Sequence, residues 1–141
     1  MSHAPCPQCG ATFEDPAMDC RSQFAALLAL DHSRQEPWGS RHGLVFAAFQ
    51  LQHPEGLTAE ALERCWIALW RVYVAGDDRG HVLAGLRRAV HVRAAEWGVP
   101  PLRVREAGTR YAATIADLGD LGAEGYAEAV DRWCRAALGL P

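Results

Sequence analysis

Residues 15–54 read DPAMDCRSQFAALLALDHSRQEPWGSRHGLVFAAFQLQHP. The stretch has the layout of two helices joined by a short loop. Asp15-Pro16 offers an N-cap followed by proline at the first helical position, which starts a helix running to about residue 33. Within it Cys20, Phe24, Leu27, Leu28 and Asp31 recur at helical spacing, so the Cys20 thiol faces inward with the core residues. PWGS at 37–40 breaks the chain, and Ser40 can cap a second helix carrying Val45, Phe46 and Phe49 until Pro54 prevents continuation. An antiparallel pair with so short a loop places the start of its first helix beside the end of its second, which brings Cys20 next to His53.

The rest of the chain repeats the helical pattern. A third helix is expected from Thr58 to Gly76, with Leu57 and Leu62 placed as a hydrophobic staple and Cys65, Trp66, Leu69 and Tyr73 along it. A fourth is expected over residues 78–97, ended by Gly98 and Pro100-Pro101. Residues up to 121 read as irregular, with a short extended piece at ATIADL. A last helix over residues 123–138 aligns Tyr126, Val130, Trp133 and Ala137. Strand signals are nearly absent. The expected fold is therefore all-α, a bundle of about five helices forming one domain over residues 1–141. Residues 1–14 would be an N-terminal zinc knuckle, and residues 15–141 the helical bundle.

Upstream of the hairpin stands MSHAPCPQCGATF. Two thiolates two residues apart reach one tetrahedral ion when the chain turns tightly, and a glycine after the second permits the left-handed backbone such a turn needs. Cys6 and Cys9 thus supply half a zinc site. No second CxxC exists, and the knuckle lies about ten residues before Cys20, close enough to fold back on the hairpin's end. The expected ligand set is Cys6, Cys9, Cys20 and His53, a closed structural Cys3His site with zinc as cofactor. The competing readings are a redox dithiol, for which no βαβ pattern is present, and an unmetallated tail. Taken singly, Cys20 reads as a core thiol and His53 as a helix C-terminal residue favoured by the dipole. His42 and His53 lie about 16 Å apart along a helix and cannot share one ion. His42 instead falls near Asp31 and His32, as a surface contact or an acid–base pair. Cys65 and Cys134 read as core residues, and His3 lies in the tail.

Composition sets the remaining bounds. The 141 residues are 50% hydrophobic and 22% charged, with a formal net charge of −3. That describes a folded domain with one core and argues against a general nucleic-acid binder. Residues 79–110 carry seven Arg against Glu96 and Glu106, and residues 111–141 carry an acidic excess. These segments would face each other or form solvated surfaces, nucleic-acid binding through the basic one being the rival. No run reaches the roughly 18 apolar residues of a membrane span, and the start lacks a signal-peptide layout. The expected location is cytoplasmic, where five cysteines act as thiols or metal ligands rather than disulfides. No nucleophile motif, phosphate loop or HExxH pattern occurs. Trp38, Trp66 and Trp70 could serve a core, a pocket or a homodimer face.

Six features together carry a resemblance: CPQCGA, Cys20 ahead of FAALLALD, RHGLVFAAFQLQHP, LRRAV, TIADL and the late Trp133. Over almost its whole length the chain resembles a bacterial family catalogued as domain of unknown function 5946. That pattern has an opening CPxCG, an inward Cys, a His-Leu…Tyr-x-x-Gln-His-Pro stretch and a Thr-Val-x-Asp-Val element before the final helix. It carries over to Cys6, Cys9, Cys20, His42 and His53. The chain departs from it at Phe49, where Tyr is usual, and at Cys65, where the pattern has His. The second departure makes Cys65 a further candidate ligand, and with His42 it could line a pocket. The family name implies no activity. The resulting expectation is a metal-stabilised interaction or small-ligand-binding module, the rival being a metal-dependent hydrolase or transferase with Cys20, His42, His53 and Cys65 around one open pocket.

Overall fold

The computed structural model describes residues 4–103, 105–106 and 108–141; His3 lies outside them. Five α-helices are present among the described residues: α1 (Cys20–His32), α2 (His42–Gln52), α3 (Ala59–Tyr73), α4 (Arg79–Arg88) and α5 (Tyr126–Ala137). Short 3-10 turns occur at Gly39–Arg41, Ala94–Trp97 and Ile115–Leu118, and there is no strand among the described residues. Nor, among them, is any helix long and apolar enough to cross a membrane.

Helix α2 lies at the centre of the bundle, packed on both α3 and α5. Its sequence is apolar on nearly every side, so Leu44, Val45, Ala48, Phe49 and Leu51 are all buried. Ile67 and Leu69 of α3 and Val130 and Trp133 of α5 close the core around it. Trp66 is also a core residue, its indole N–H donating to the Pro100 carbonyl at 2.8 Å, and the half-buried Trp38 donates to Leu121 at 3.0 Å.

Several boundaries differ from the sequence reading, each for a local reason. Asp15 closes a turn on itself by accepting the Ala17 N–H, and the true N-cap of α1 is Asp19, which accepts the Ser22 N–H at 2.8 Å. Cys20 is therefore the first residue of α1. Ser40 caps no helix; its hydroxyl is taken up by Glu36, and a 3-10 turn leads into α2 instead. Helix α4 stops at Arg88 rather than near Trp97, because Arg64 of α3 donates to the carbonyls of Leu86, Ala89 and Val90 and ends the helix there. ATIADL is not extended. Thr114 and Asp117 form a reciprocal capping box that winds it into a 3-10 turn.

Thr58 is the N-cap of α3 as expected, accepting the Ala61 N–H at 3.1 Å. Thr58→Ala is expected to cost about 1 kcal/mol, read as a lower midpoint in urea with an unchanged slope. An unchanged midpoint would show that α3 is held by packing alone.

Candidate metal centre

The N-terminal segment makes a tight turn held by two backbone bonds, Cys6 N–H to Ala11 and Gly10 N–H to Cys6, both 2.9 Å. Gly10 sits at φ +81°, and a Cβ there would also approach Arg110 to 3.1 Å, so glycine is required twice over. The turn is fastened to the bundle. The Gln8 side chain accepts the Glu55 N–H at 3.0 Å, just beyond the end of α2, and the Cys9 carbonyl accepts the Tyr111 N–H at 3.4 Å. Cys9 is completely buried.

Folding back in this way brings four donor side chains together. The sulfurs of Cys6, Cys9 and Cys20 and a ring nitrogen of His53 all lie within 4.8 Å of one another. Cys9 and Cys20 are 3.6 Å apart, sulfur to sulfur. A disulfide would need about 2.05 Å, whereas two corners of a zinc tetrahedron with bonds of about 2.3 Å are separated by about 3.8 Å. All five cysteines are free thiols.

His53 is the member of the cluster whose surroundings are most specific. It caps the C-terminus of α2, and its Nδ1–H donates to the Phe49 carbonyl at 2.8 Å. That bond fixes the tautomer and leaves a lone pair on Nε2. Nε2 is buried and has no hydrogen-bond partner. An orphaned buried nitrogen is costly unless something occupies it, and a carbonyl on the other ring nitrogen is the usual outer-shell support of a metal-binding imidazole. The ring plane is held as well, since Phe24, Phe49 and His53 form a continuous stack with centroids 4.0 and 4.1 Å apart.

The electrostatics agree. The hydrogen bond from Cys20, aided by His53 and the Ala11 N–H, pulls the Cys9 thiol down to about 4 despite burial. The same contact pushes the Cys20 thiol up, with burial adding to it. Two sulfurs this close hold one negative charge between them when only protons are available, and a divalent cation allows both to be thiolates. The Cys/His cluster is thus compatible with a metal ion.

His42 and Cys65 are not part of this group. Both line a cavity of about 1130 Å³ between α2, α3 and α4, whose wall includes neither Cys20 nor His53. Burial pushes the Cys65 thiol up to about 12, leaving it unreactive. His42, with its side chain 45% exposed, bonds through Nδ1 to Asp31 at 2.9 Å, and that carboxylate is 1% exposed. Burial pushes the Asp31 carboxyl up, and the imidazole opposes the shift. The expected Asp31–His42 contact is therefore present, with its acidic half inside the protein.

A family model described as "Family of unknown function (DUF5946)" matches residues 4–139. The chain belongs to the DUF5946 family. No curated protein and no solved structure gives a significant match. In this DUF5946 chain the QHP stretch serves three tasks with adjacent residues. Gln52, fully buried, donates to the Ala113 carbonyl and accepts from the Trp133 indole, each at 2.9 Å. His53 faces the thiols, and Pro54 ends the helix. The Gln52 bridge was missed at the level of sequence, as was the capping box at Thr114, although the Thr-x-x-Asp spacing is a recognisable signal for the latter. Between the basic segment 79–110 and the acidic segment 111–141 of this DUF5946 chain there is no ion pair among the described residues. They do not neutralise each other by direct pairing.

Proposed function

We propose that this chain is a single-domain, zinc-stapled helical module of the cytoplasm in which Cys6, Cys9, Cys20 and His53 hold the metal. It acts by binding a small ligand or partner rather than through metal chemistry. The buried, partnerless Nε2 of His53 beside three thiols carries the reading. Four protein donors complete a tetrahedron, which is the arrangement of a structural site; a catalytic zinc keeps a position for water. Zinc is favoured over harder ions because three of the four donors are thiolates. The metal would join the N-terminal turn, the start of α1 and the end of α2, and so set the frame on which the other helices pack.

The test is composition and coordination together. Purified protein is expected to contain about one zinc per chain, and X-ray absorption at the zinc edge is expected to show three sulfurs and one nitrogen. Two sulfurs with a nitrogen and an oxygen would favour the metal-dependent enzyme instead. Absence of any bound transition metal would remove the reading altogether.

A further inference from the structure

The cavity between α2, α3 and α4 is separate from the thiol cluster. The six-residue connection between α2 and α3 and the five-residue connection between α3 and α4 make each pair antiparallel. The N-terminal ends of α2 and α4 therefore meet the C-terminal end of α3. At about 1130 Å³ the cavity is large enough for a small organic ligand. Its middle is apolar and lined by short side chains, with Ala47 on α2, Ala68 on α3 and Leu83 on α4.

Charge is distributed unevenly along its length. At the end formed by Tyr73 and His42 the acidic groups and Tyr73 already have partners: Tyr73 donates to Asp131 at 2.8 Å, Asp78 caps α4, and Asp77 is paired with Arg71, while Arg79, the guanidinium at this end, is held to the Ser40 hydroxyl at 3.4 Å. At the opposite end the wall contributes Arg64, Arg87 and Gln50 and no carboxylate. Arg64 is anchored to the carbonyls that end α4. Arg87 is exposed and makes no ion pair or hydrogen bond among the described residues. Arg64 and Tyr73 are nine residues apart on α3, about 13 Å along its axis.

We propose that this cavity binds an elongated apolar carboxylic acid. The carboxylate sits at the Arg87 end, the hydrocarbon body lies against Ala47, Ala68 and Leu83, and the far end of the molecule lies beside His42. A carboxylate matches guanidinium donors geometrically, and although Glu60 lies 3.9 Å from Arg64, no acidic side chain among the described residues pairs with Arg87. At the far end the imidazole of His42, with Nδ1 committed to Asp31, keeps one ring nitrogen for a hydrogen bond. A hydroxyl on the distal carbon would engage it. This deepens the ligand-binding half of the function proposed above.

Titration calorimetry of the metal-loaded protein with decanoate, decylammonium and ω-hydroxydecanoate tests it. Decanoate is expected to bind at one site per chain, decylammonium at least about tenfold more weakly, and ω-hydroxydecanoate at least as tightly as decanoate. Arg87→Ala, at an exposed position, is expected to weaken decanoate by about tenfold, and Ala68→Trp to abolish its binding by filling the cavity. Val72→Trp serves the same purpose if the Ala68 variant does not fold. Equal binding of the amine and the acid, or an unaffected Arg87→Ala variant, would overturn the assignment, as would no heat from decanoate at millimolar concentration. Zinc content is read on the same samples, so a failed ligand assignment with one zinc per chain leaves the metal reading standing.

Discussion

Cys9→Ser is expected to leave the protein without its metal and with a melting temperature lower by more than about 10 °C. Structural zinc in a Cys/His site contributes folding free energy on the order of 10 kcal/mol, and a chain of this size loses roughly 3 °C per kcal/mol. Part of that energy would survive in a metal-free state, because Ile67, Leu69, Val130 and Trp133 pack on α2 without the cluster. Cys9 is the most telling of the four proposed ligands. It is fully buried, 3.6 Å from Cys20 and fastened through its carbonyl to Tyr111, so its loss removes a thiolate and loosens the turn. Two comparisons isolate the metal from the mutation. Cys134→Ser alters a buried thiol that faces the Leu44 carbonyl, far from the cluster in function, and should retain one zinc per chain. Wild-type protein stripped with a chelator should melt close to Cys9→Ser. Equal melting of all these samples would mean that the cluster stabilises nothing.

How much of this was legible beforehand depends on the range of the interaction. The meeting of Cys20 with His53 follows from two helices adjacent in sequence, although the connection runs over residues 33–41 and includes a 3-10 turn rather than being PWGS alone. The knuckle is local too, since Cys6, Cys9 and Gly10 specify their own turn. Where the sequence reading erred, a distant residue or a competing cap decided. Pro16 and Asp15 look like a helix start, yet Asp19 has the extended backbone that a cap requires and takes the Ser22 N–H. The length of α4 was set by Arg64, a residue on another helix that claims the terminal carbonyls. ATIADL has the β-branched content of a strand, and the Thr114–Asp117 capping box outweighs it. The polar wall around His42 could be anticipated only as a juxtaposition of His42 with Asp31. That the carboxylate would be interior is a matter of tertiary packing.

Gln52 illustrates the same limit and carries the second large effect. A glutamine within an apolar helix reads as neutral, but here its side chain joins the end of α2 to both Ala113 and Trp133. Gln52→Leu keeps nearly the same volume and removes both hydrogen bonds at once. The Trp133 indole N–H, on a side chain that is completely buried, is then left without a partner, and the half-buried Ala113 carbonyl loses its amide donor. A buried orphan costs about 1–3 kcal/mol and a lost hydrogen bond to a half-buried carbonyl about 1 kcal/mol, so the variant should lose about 2–4 kcal/mol in denaturant unfolding. Trp133→Phe strands the opposite partner, the buried Gln52 Oε1, and opens a cavity, so it should cost about as much as Gln52→Leu. Combining the two changes should be less than additive, because the indole N–H that Gln52→Leu strands is absent in the double variant. Additive costs would show that the two side chains act independently. Zinc content should stay at one per chain throughout, since His53 is held by Phe49 through its own backbone bond and the imidazole does not depend on Gln52 for its orientation.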